Sequence, residues 1–448
     1  MTNPALSRAT AKVERRLIPF LMLIYLVAFL DRANVAFVKV DLQTYAGISE
    51  SAFALGAGLF FITYALLEVP STMMMHKMGA RFWISRIMVT WGLASAALMF
   101  TKGPLSFYGF RLLLGAAEAG LFPAAIYYMG RWFPDESRGK ALGYFLGIAG
   151  PLGLVVGGPL SGLLLGLDGF LSLAGWQWMF LIEGLAACVV GVWAYWYMDD
   201  TPAEARWLSE EERSALVNHL ALEASSKKGE STAGNWTEIL GDSKVWRATA
   251  IQFFAVIAIF GTLFYLPSQV SALLGKKMGL EVGLVSAIPW ALGCAACIWL
   301  PALADRINRH RVMSVTLLSM AGLSLALSAY GSPLMRMILL CIAVASLVTV
   351  GPIYWSFLPR YLTGAAAARG LGFASSLGIV GAFIAPNLRA QVSQAMGDPI
   401  YGLFAIAFAA LVAAICVSTL PWPVNRTRSR VQVRGVASTQ PAVEKPGG

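Results

Sequence analysis

The sequence predicts an all-α membrane protein with about twelve transmembrane helices in two pseudo-symmetric bundles of six. Hydrophobic residues fill 57% of the 448 positions and charged residues only 13%, a composition that soluble domains of this length do not show. The apolar stretches run to about twenty residues, the length that crosses a bilayer as a helix with its backbone hydrogen bonds satisfied internally. These lengths exclude the short alternating strands of a barrel.

Twelve windows of about twenty apolar residues follow one another along the chain. They are Leu17 to Val40, Phe53 to Met75, Trp83 to Thr101, Leu105 to Met129, Gly139 to Leu165, Trp176 to Met198, Trp246 to Val270, Gly283 to Leu303, Val312 to Tyr330, Leu334 to Leu358, Gly370 to Val392 and Ile400 to Pro421. The first window follows a charged stretch, is too long for a signal peptide and lacks a small-residue cleavage site. It is therefore predicted to be a retained helix.

Lysine and arginine are unevenly divided between the two sets of loops. If the amino terminus is cytoplasmic, most of them fall on the cytoplasmic side. The opposite side receives only Lys39, Lys102, Lys276, Lys277, Arg336 and Arg389. The positive-inside rule therefore predicts an inner-membrane protein with both termini in the cytoplasm. The net charge of +10 does not indicate nucleic-acid binding, because the basic residues form no single face.

One long polar stretch separates six spans from six. The predicted organisation is a cytoplasmic tail 1–16, a six-helix bundle 17–198, a central cytoplasmic loop 199–245, a second six-helix bundle 246–422 and a disordered cytoplasmic tail 423–448. Within the loop, Ser209 is expected to cap a helix with an acidic first turn. Ala215 to Ala224 is expected to form a short amphipathic helix, and Ser225 to Gly234 to be flexible.

Cysteine and histidine give no sign of a metal site or of catalysis. All five cysteines lie in apolar stretches, and Cys294 and Cys297 have no second ligand pair. His76, His219 and His310 lie far apart in loops, and no catalytic triad or phosphate-binding loop is present. The sequence therefore predicts neither an enzyme nor a cofactor.

The two halves of the sequence repeat each other. Arg138-Gly139, followed by Leu146-Gly147-Ile148 and Gly150, recurs as Arg369-Gly370, followed by Leu377-Gly378-Ile379 and Gly381. The basic loop after span two is matched by a similar loop after span eight. Two parallel six-helix repeats are typical of transporters whose site lies between the halves at mid-membrane, and since two halves complete one site we expect a monomer.

Several strings carry a family resemblance. They are Leu30-Asp31-Arg32-Ala33-Asn34, Arg111 to Pro123, Trp132-Phe133-Pro134 with Arg138-Gly139, Trp176 to Gly184, and the basic loops after spans two and eight. They cover nearly the whole helical region and resemble the major facilitator superfamily, and more narrowly its anion:cation symporter (phthalate permease-like) family. The resemblance implies the major facilitator fold and import of a small organic anion (tartrate-like, sugar acid or aromatic carboxylate) by proton symport through alternating access.

Two departures from the family pattern bear on the substrate. Span eleven reads Ile379-Val380-Gly381-Ala382-Phe383 where sugar-acid relatives often carry Asn-Leu-Gly-Gly-Phe, and Phe29 stands where a tyrosine is often found. Both changes make the predicted cavity more apolar, and Asn387 compensates only in part. A less hydroxylated or aromatic acid is therefore favoured.

Ionisable residues inside the spans mark candidate functional positions, because each costs a few kcal/mol to insert. Asp31 in span one and Arg111 and Glu118 in span four fall in the same middle slab of the bilayer. Arg111, Gly115 and Glu118 are spaced i, i+4, i+7 and share one helix face.

Each buried charge has a predicted role. Arg32 is expected to bind the substrate carboxylate through its planar fork. Asp31 and Glu118 are expected to carry protons, and Arg111 to hold one of them ionised until protonation releases it. A static ion-pair network is the alternative for all four, and Na⁺ is an alternative coupling ion.

Further candidates line the predicted cavity or the loops. The substrate-binding candidates are Tyr64, Asn34, Gln252, Tyr265, Tyr354, Trp355 and Asn387, with packing as the alternative role. Glu68 and Glu183 lie nearer the span ends and are expected to have paired structural roles. The glycines of span five predict either a gating helix or close packing. The cytoplasmic gating loops hold Lys77, Arg81, Asp305, Arg306 and Arg309, whose alternative role is topology alone.

Other functions fit parts of the pattern. A proton-coupled exporter of drugs or metabolites is the alternative within the transporter class, while a membrane enzyme and a transport-dead sensor are alternatives from other classes. Arg32 beside Asp31 favours an anion, because an exporter of cations would leave the carboxylates unaccompanied.

Overall fold

The computed structural model describes residues 4–227, 240–361 and 365–420, and the regular elements in those ranges are helical. Within them, twelve helices are long and apolar enough to cross a membrane. In chain order they are α1 (Pro4–Phe37), α2 (Glu50–Met78), α3 (Ala80–Phe100), α4 (Pro104–Trp132), α5 (Asp135–Leu165), α6 (Gly175–Tyr197), α7 (Ser243–Leu274), α8 (Leu280–Ile307), α9 (His310–Leu327), α10 (Pro333–Tyr361), α11 (Ala365–Met396) and α12 (Pro399–Ser418). The predicted spans are confirmed in number and order.

Two spans contain breaks that the sequence did not predict. In α4, Ala119 is extended and Gly120 has a φ of 89°, a left-handed conformation that glycine adopts without strain. The Ser71 hydroxyl donates to the Ala119 carbonyl at 2.7 Å, so the break leaves that buried carbonyl satisfied. In α7 the helix ends at Leu263 and restarts at Leu266, in a turn that contains Pro267, whose missing N–H suits a first turn.

The first helix begins at Pro4, well before the predicted Leu17, so most of the predicted tail 1–16 is helical. Its early turns lie against the loop helix Glu210–Lys227. Lys12 Nζ lies 2.7 Å from Glu212 Oε2, and hydrogen bonds from Lys12 and the Ser209 backbone lower the pKa of Glu212. These contacts attach the central loop to the first bundle.

The loop helix starts where the sequence predicted. The Ser209 hydroxyl accepts the backbone N–H of Glu212 at 3.3 Å, and Glu212 Oε2 accepts that of Ser209 at 3.0 Å, which makes a capping box. Of the stretch predicted to be flexible, residues 225–227 continue this helix, while 228–234 lie outside the described residues. The predicted disordered tail 423–448 lies outside them too.

The predicted repeat is present as repeated packing. Helix α5 packs on α1 as α11 packs on α7, and the pairs α3–α6 and α2–α4 correspond to α9–α12 and α8–α10. A Cβ on Gly153 would lie 2.6 Å from the Leu26 carbonyl oxygen, and one on Gly381 would lie 2.6 Å from that of Phe253. Glycine therefore allows the same close helix approach in both bundles.

The two bundles meet along α5 with α8 and along α2 with α11. A Cβ on Gly158 would lie 2.7 Å from the carbonyl oxygen of Gly283, and one on Gly162 would collide with that of Gly279. These contacts lie where α5 ends and α8 begins, opposite the start of α1. We call this end of the molecule the distal side. The close packing predicted for span five is therefore present there, and its gating role stays a prediction.

Candidate functional site

A cavity of about 270 Å³ lies between the two bundles. Its wall is largely apolar, and a third of the residues that line it are aromatic: Tyr25, Phe29, Phe61, Tyr64, Phe122, Phe260, Trp290 and Trp355. Among the described lining residues, Arg32 is the one cation and Glu68 the one acid. An apolar cavity with a few convergent polar groups is the usual form of a small-molecule site.

Arg32 of α1 and Glu118 of α4 form an ion pair at the cavity wall. Glu118 is fully buried, whereas the Arg32 side chain keeps 14% of its surface exposed. The guanidinium carbon lies 5.2 Å from the ring centre of Phe29 and 5.4 Å from that of Tyr64. Within the described chain, Arg32 Nε and Glu118 Oε2 have no hydrogen-bond partner. The structure thus joins the predicted carboxylate-binding residue to a predicted proton carrier.

Arg111, predicted to hold Asp31 or Glu118 ionised, forms its hydrogen bonds with backbone instead of with either carboxylate. Its Nε donates to the Gly56 carbonyl at 3.2 Å and its Nη2 to the Ala57 carbonyl at 3.1 Å. These carbonyls are within reach because Gly115 lets α2 approach so closely that a Cβ there would collide with the Phe60 carbonyl. Arg111 therefore holds α2 directly, and its effect on Asp31 and Glu118 acts through space.

Asp31 lies behind Arg32, inside the first bundle and away from the cavity wall. It is 2% exposed and accepts hydrogen bonds from Asn34 Nδ2 at 3.2 Å, from Trp91 Nε1 at 3.1 Å and from the Ser95 hydroxyl. Three donors stabilise an ionised carboxylate in this position. Asn34, predicted to contact substrate, is 1% exposed beside Asp31 and does not line the cavity.

The other predicted substrate-binding residues divide between the cavity and the bundle interiors. Tyr64 and Trp355 line the cavity, together with Gln252. Tyr354 donates its hydroxyl to the Ala248 carbonyl at 2.7 Å, and Asn387 Nδ2 donates to the Phe383 carbonyl at 2.8 Å. Both donate to backbone carbonyls of the second bundle and lie off the described cavity wall, and Asn387 also lies against Gly58 of α2, where the bundles meet.

Tyr265 belongs to a polar cluster that bridges the bundles on the distal side. Lys39 Nζ lies 4.4 Å and Arg389 Cζ 4.1 Å from the Tyr265 ring centre, and Lys39 Nζ is 2.7 Å from Glu50 Oε1. We call these four residues the distal cluster. Sequence reasoning missed Lys39, Glu50 and Arg389, because no spacing along the chain links residues that come from different bundles.

Glu68 lies in a different place from the one predicted from the sequence. It was expected near a span end in a structural pair, yet it lines the cavity with Tyr64. A signal existed, since Glu68 follows Tyr64 by four residues and shares its helix face.

The predicted gating charges lie at the ends of α2, α3 and α8. The Arg81 side chain donates to the Tyr195 carbonyl, and its backbone N–H donates to Asp200 Oδ1 at 2.9 Å. Asp305 Oδ1 lies 2.7 Å from His310 Nε2. The same turns hold Lys77, Arg306 and Arg309. These described contacts stay within one bundle, and the gating role of the loops stays a prediction.

The known proteins that this chain resembles are membrane transporters of one superfamily. Residues 21–386 match the model of the Major Facilitator Superfamily. The chain is 39% identical to "Inner membrane transport protein RhmT" of Escherichia coli (strain K12), over 97% of this chain and 99% of that one. It is 38% identical to a "Putative tartrate transporter" of Agrobacterium vitis, over 93% and 92%. It is 34% identical to the "Quinolone resistance transporter" of Acinetobacter baumannii, over 90% and 92%.

A solved structure shares the fold. The crystal structure of a D-xylose–proton symporter superposes with a TM-score of 0.71 at 15% identity, covering 91% of this chain and 98% of that one. At this identity the likeness concerns the fold alone.

Proposed function

Because the chain belongs to the major facilitator superfamily, we propose that it imports a small organic anion together with protons by alternating access. Its relatives and structural neighbours are transporters, and the chain itself is a multi-pass membrane transporter rather than an enzyme. The observation that carries the proposal is Arg32. It is the one cation of the described cavity wall, and its partner is a buried glutamate that a substrate carboxylate can replace.

Exchange of partners at Arg32 couples the anion to a proton. Arg32 keeps its charge at any working pH, and its fork binds a carboxylate through two N–H groups. Without substrate, Glu118 occupies the guanidinium. When a substrate carboxylate arrives, a proton on Glu118 removes the competing negative charge and keeps the net charge of the site at zero. One anion and one proton then move together.

Asp31 is the second proposed proton carrier. Trp91 and Ser95, two of its three donors, belong to α3, so its charge ties α1 to α3. A protonated carboxyl accepts such hydrogen bonds less strongly, and a proton on Asp31 therefore loosens that tie. Arg111, fixed to α2, supplies positive charge near both carboxylates.

The cavity wall favours an aromatic or sparsely hydroxylated monocarboxylate. Its rings offer stacking surface, and few neutral polar side chains face a substrate hydroxyl. A second substrate carboxylate would meet Glu68 rather than a second cation. Relatives named as putative tartrate transporters support a small carboxylate as cargo.

The proposed setting is the inner membrane, with both termini in the cytoplasm. The loop charges support this orientation, and the relative RhmT is named an inner membrane protein. The closed distal side then faces outward. One chain contributes both walls of the cavity, so a monomer is sufficient.

Proton-coupled export of aromatic drugs or metabolites is the second candidate. The aromatic wall and the relative named as a quinolone resistance transporter favour it. In that case the proton gradient would drive substrate out of the cell, and Arg32 would bind an acidic group of the drug or stack on its rings.

The test is uptake into proteoliposomes of purified full-length chain. A radiolabelled panel of aromatic monocarboxylates, aromatic dicarboxylates, tartrate and sugar acids is offered with and without an inward proton gradient. We expect an aromatic monocarboxylate to accumulate and a protonophore to abolish the accumulation. Gradient-driven exclusion of aromatic drugs would support the exporter, and binding without movement would support a sensor. Either result would overturn the proposed import.

A further inference from the structure

Glu183 of α6, for which a paired structural role was predicted, is a buried acid outside the cavity, and the proposed transport steps do not use it. It is 1% exposed, and its Oε1 accepts a hydrogen bond from the Ser161 hydroxyl of α5 at 2.9 Å. Its Oε2 has no hydrogen-bond partner, and no Lys, Arg or His forms an ion pair with it, among the residues that the structure describes. An ionised carboxylate in this position would be buried with one donor and no cation.

Asn34 connects this acid to Asp31. Its Nδ2 donates to Asp31 Oδ1 at 3.2 Å, and the same side chain lies beside the Glu183 carboxyl. Asn34 Oδ1 is buried without a hydrogen-bond partner in the described chain. Two acceptor oxygens, one on Asn34 and one on Glu183, are therefore left without a donor in one small region.

The charged groups around Glu183 can be followed helix by helix. Helix α1 brings Asp31, and α5 brings the neutral Ser161. Helix α3 packs along α6 through Gly92 and Gly184. The two arginines of α3, Arg81 and Arg86, lie more than one helical turn before Gly92, nearer the start of α3. Asp31 is thus the charged group that faces Glu183 among the described residues.

The two carboxyls are treated unequally by their surroundings. Asp31 receives three hydrogen bonds, whereas Glu183 receives one direct hydrogen bond, from Ser161, has the Asn34 amide beside it and faces the negative charge of Asp31. Burial of a carboxylate without a cation costs several kcal/mol, while the neutral acid gains an O–H that can donate. A proton on Glu183 Oε2 would supply the donor that this region lacks.

We propose that Glu183 is a further proton-binding residue of the transporter, paired with Asp31 through Asn34. In the described conformation Glu183 holds a proton while Asp31 is ionised, so the pair carries one negative charge. A proton that arrives at Asp31 removes the like charge opposing ionisation of Glu183, which makes the two sites cooperative in exchanging protons. This inference rests on the proton coupling proposed above.

Infrared spectroscopy of the purified full-length chain in lipid tests the protonation without any substrate. We expect a protonated-carboxyl C=O band at neutral pH that disappears in Glu183→Gln. The matched control is Glu50→Gln, which removes an acid paired with Lys39 at 2.7 Å and should leave the band unchanged. In Asn34→Leu the band should persist and change frequency, because the amide neighbour is lost. A band identical in wild type and Glu183→Gln would overturn the proposal.

The pH profile of substrate exchange tests the coupling to Asp31. Glutamine keeps the hydrogen bond from Ser161, so a purely structural role predicts an unchanged profile in Glu183→Gln. We expect the midpoint to move by about one pH unit and Glu183→Asp to restore it in part. An unmoved midpoint would refute the pairing. Failure of the wild-type chain to accumulate any acid would instead refute the proposed function, while the infrared result would still stand.

Discussion

The two bundles have the same helix packing and a different distribution of buried charge. The first bundle buries Asp31, Arg111, Glu118 and Glu183, each no more than 2% exposed. In the described part of the second bundle, where the side chains of 356–372 are not described, the buried counterpart is Arg389 at 6%. The repeat therefore preserves the helix packing, while the charges expected to bind anion and protons lie in one half.

The strongest test of this difference removes one arginine from each bundle, the cavity-wall Arg32 and the buried Arg389. We expect Arg32→Gln to lower uptake and exchange by about 100-fold or more, because Glu118 is left buried without its cation and the substrate loses its partner. Arg389→Gln should lower uptake less than about 10-fold, since it removes a contact with the Tyr265 ring and a hydrogen bond to the Gly261 carbonyl but no ion pair in the described chain. Proteoliposome uptake and counterflow measure both. Equal losses would show that the second bundle shares the charge chemistry.

The next test separates proton coupling from anion binding within the first bundle. Glu118→Gln removes the proposed proton site and leaves Arg32 available. We expect gradient-driven accumulation to be abolished while exchange across equal pH continues. Glu50→Gln, an acid of the distal cluster, is the control that should keep the response to the gradient. A Glu118→Gln variant that accumulates substrate normally would contradict the role assigned to Glu118.

A third test concerns the contact between the bundles. Gly158→Ala places a Cβ 2.7 Å from the Gly283 carbonyl and should hinder closure of the distal side. Overpacking of this kind costs about 1–3 kcal/mol, which predicts a loss of roughly 10-fold in the initial rate of uptake. Gly143→Ala, where a Cβ would meet nothing within 4 Å, is the matched control. Similar rates in both variants would show that α5 does not limit closure.

The smallest expected effect lies outside the spans of the first bundle. Burial and the nearby Asp168 raise the pKa of Asp41, in the helix Lys39–Ala46, to about 6. A carboxyl whose pKa is higher in the folded than in the unfolded state adds stability to the fold. This contribution is fully present below the unfolded pKa, near 4, and is lost as the pH rises through 6. Asp41→Asn should therefore be more stable than wild type at pH 7.5, by less than about 1 kcal/mol because the site is partly exposed.

Thermal unfolding at pH 4.5 and 7.5 measures that effect. The difference between Asp41→Asn and wild type should shrink at the lower pH, where Asp41 is protonated. The control is Asp398→Asn, at the start of α12 in the second bundle. Its new amide oxygen can still accept the backbone N–H of Ile400. A larger difference at pH 4.5 than at 7.5 would reverse the predicted sign.

Much of this structure can be predicted from the sequence, because a lipid environment restricts the length and the charge of each span. Span number, the repeat and the choice of Asp31, Arg32 and Glu118 as candidate residues follow from length, glycine pattern and the cost of buried charge. The direction of each side chain does not. Asp31 and Arg32 are adjacent and point about 100° apart on α1, so one faces α3 and the other the cavity, and only packing decides which.

Contacts between distant parts of the chain were equally hidden. Arg111 was expected beside a carboxylate, and it bonds carbonyls of α2 because Gly115 brings that helix close. The helix break at Ala119 was not predicted, because the sequence does not distinguish Gly120 from the many other glycines of the spans. The break is explained only by the folded structure, in which the Ser71 hydroxyl of α2 donates to the Ala119 carbonyl that the break leaves free of the helix.

The Tyr265 ring carries a further consequence for the resting orientation of the transporter. Two cations, one from each bundle, lie over this ring, and each such contact is worth about 0.5–2 kcal/mol. Of the two contacts, the one with Lys39 joins the bundles, because Arg389 and Tyr265 both belong to the second bundle. Losing Lys39 would therefore change the ratio of distal-closed to distal-open molecules by roughly 2- to 30-fold. Under the proposed alternating access, the Tyr265 ring would help to set how long an empty carrier keeps its cavity closed to the distal compartment, and thereby the concentration of substrate at which the return step limits turnover.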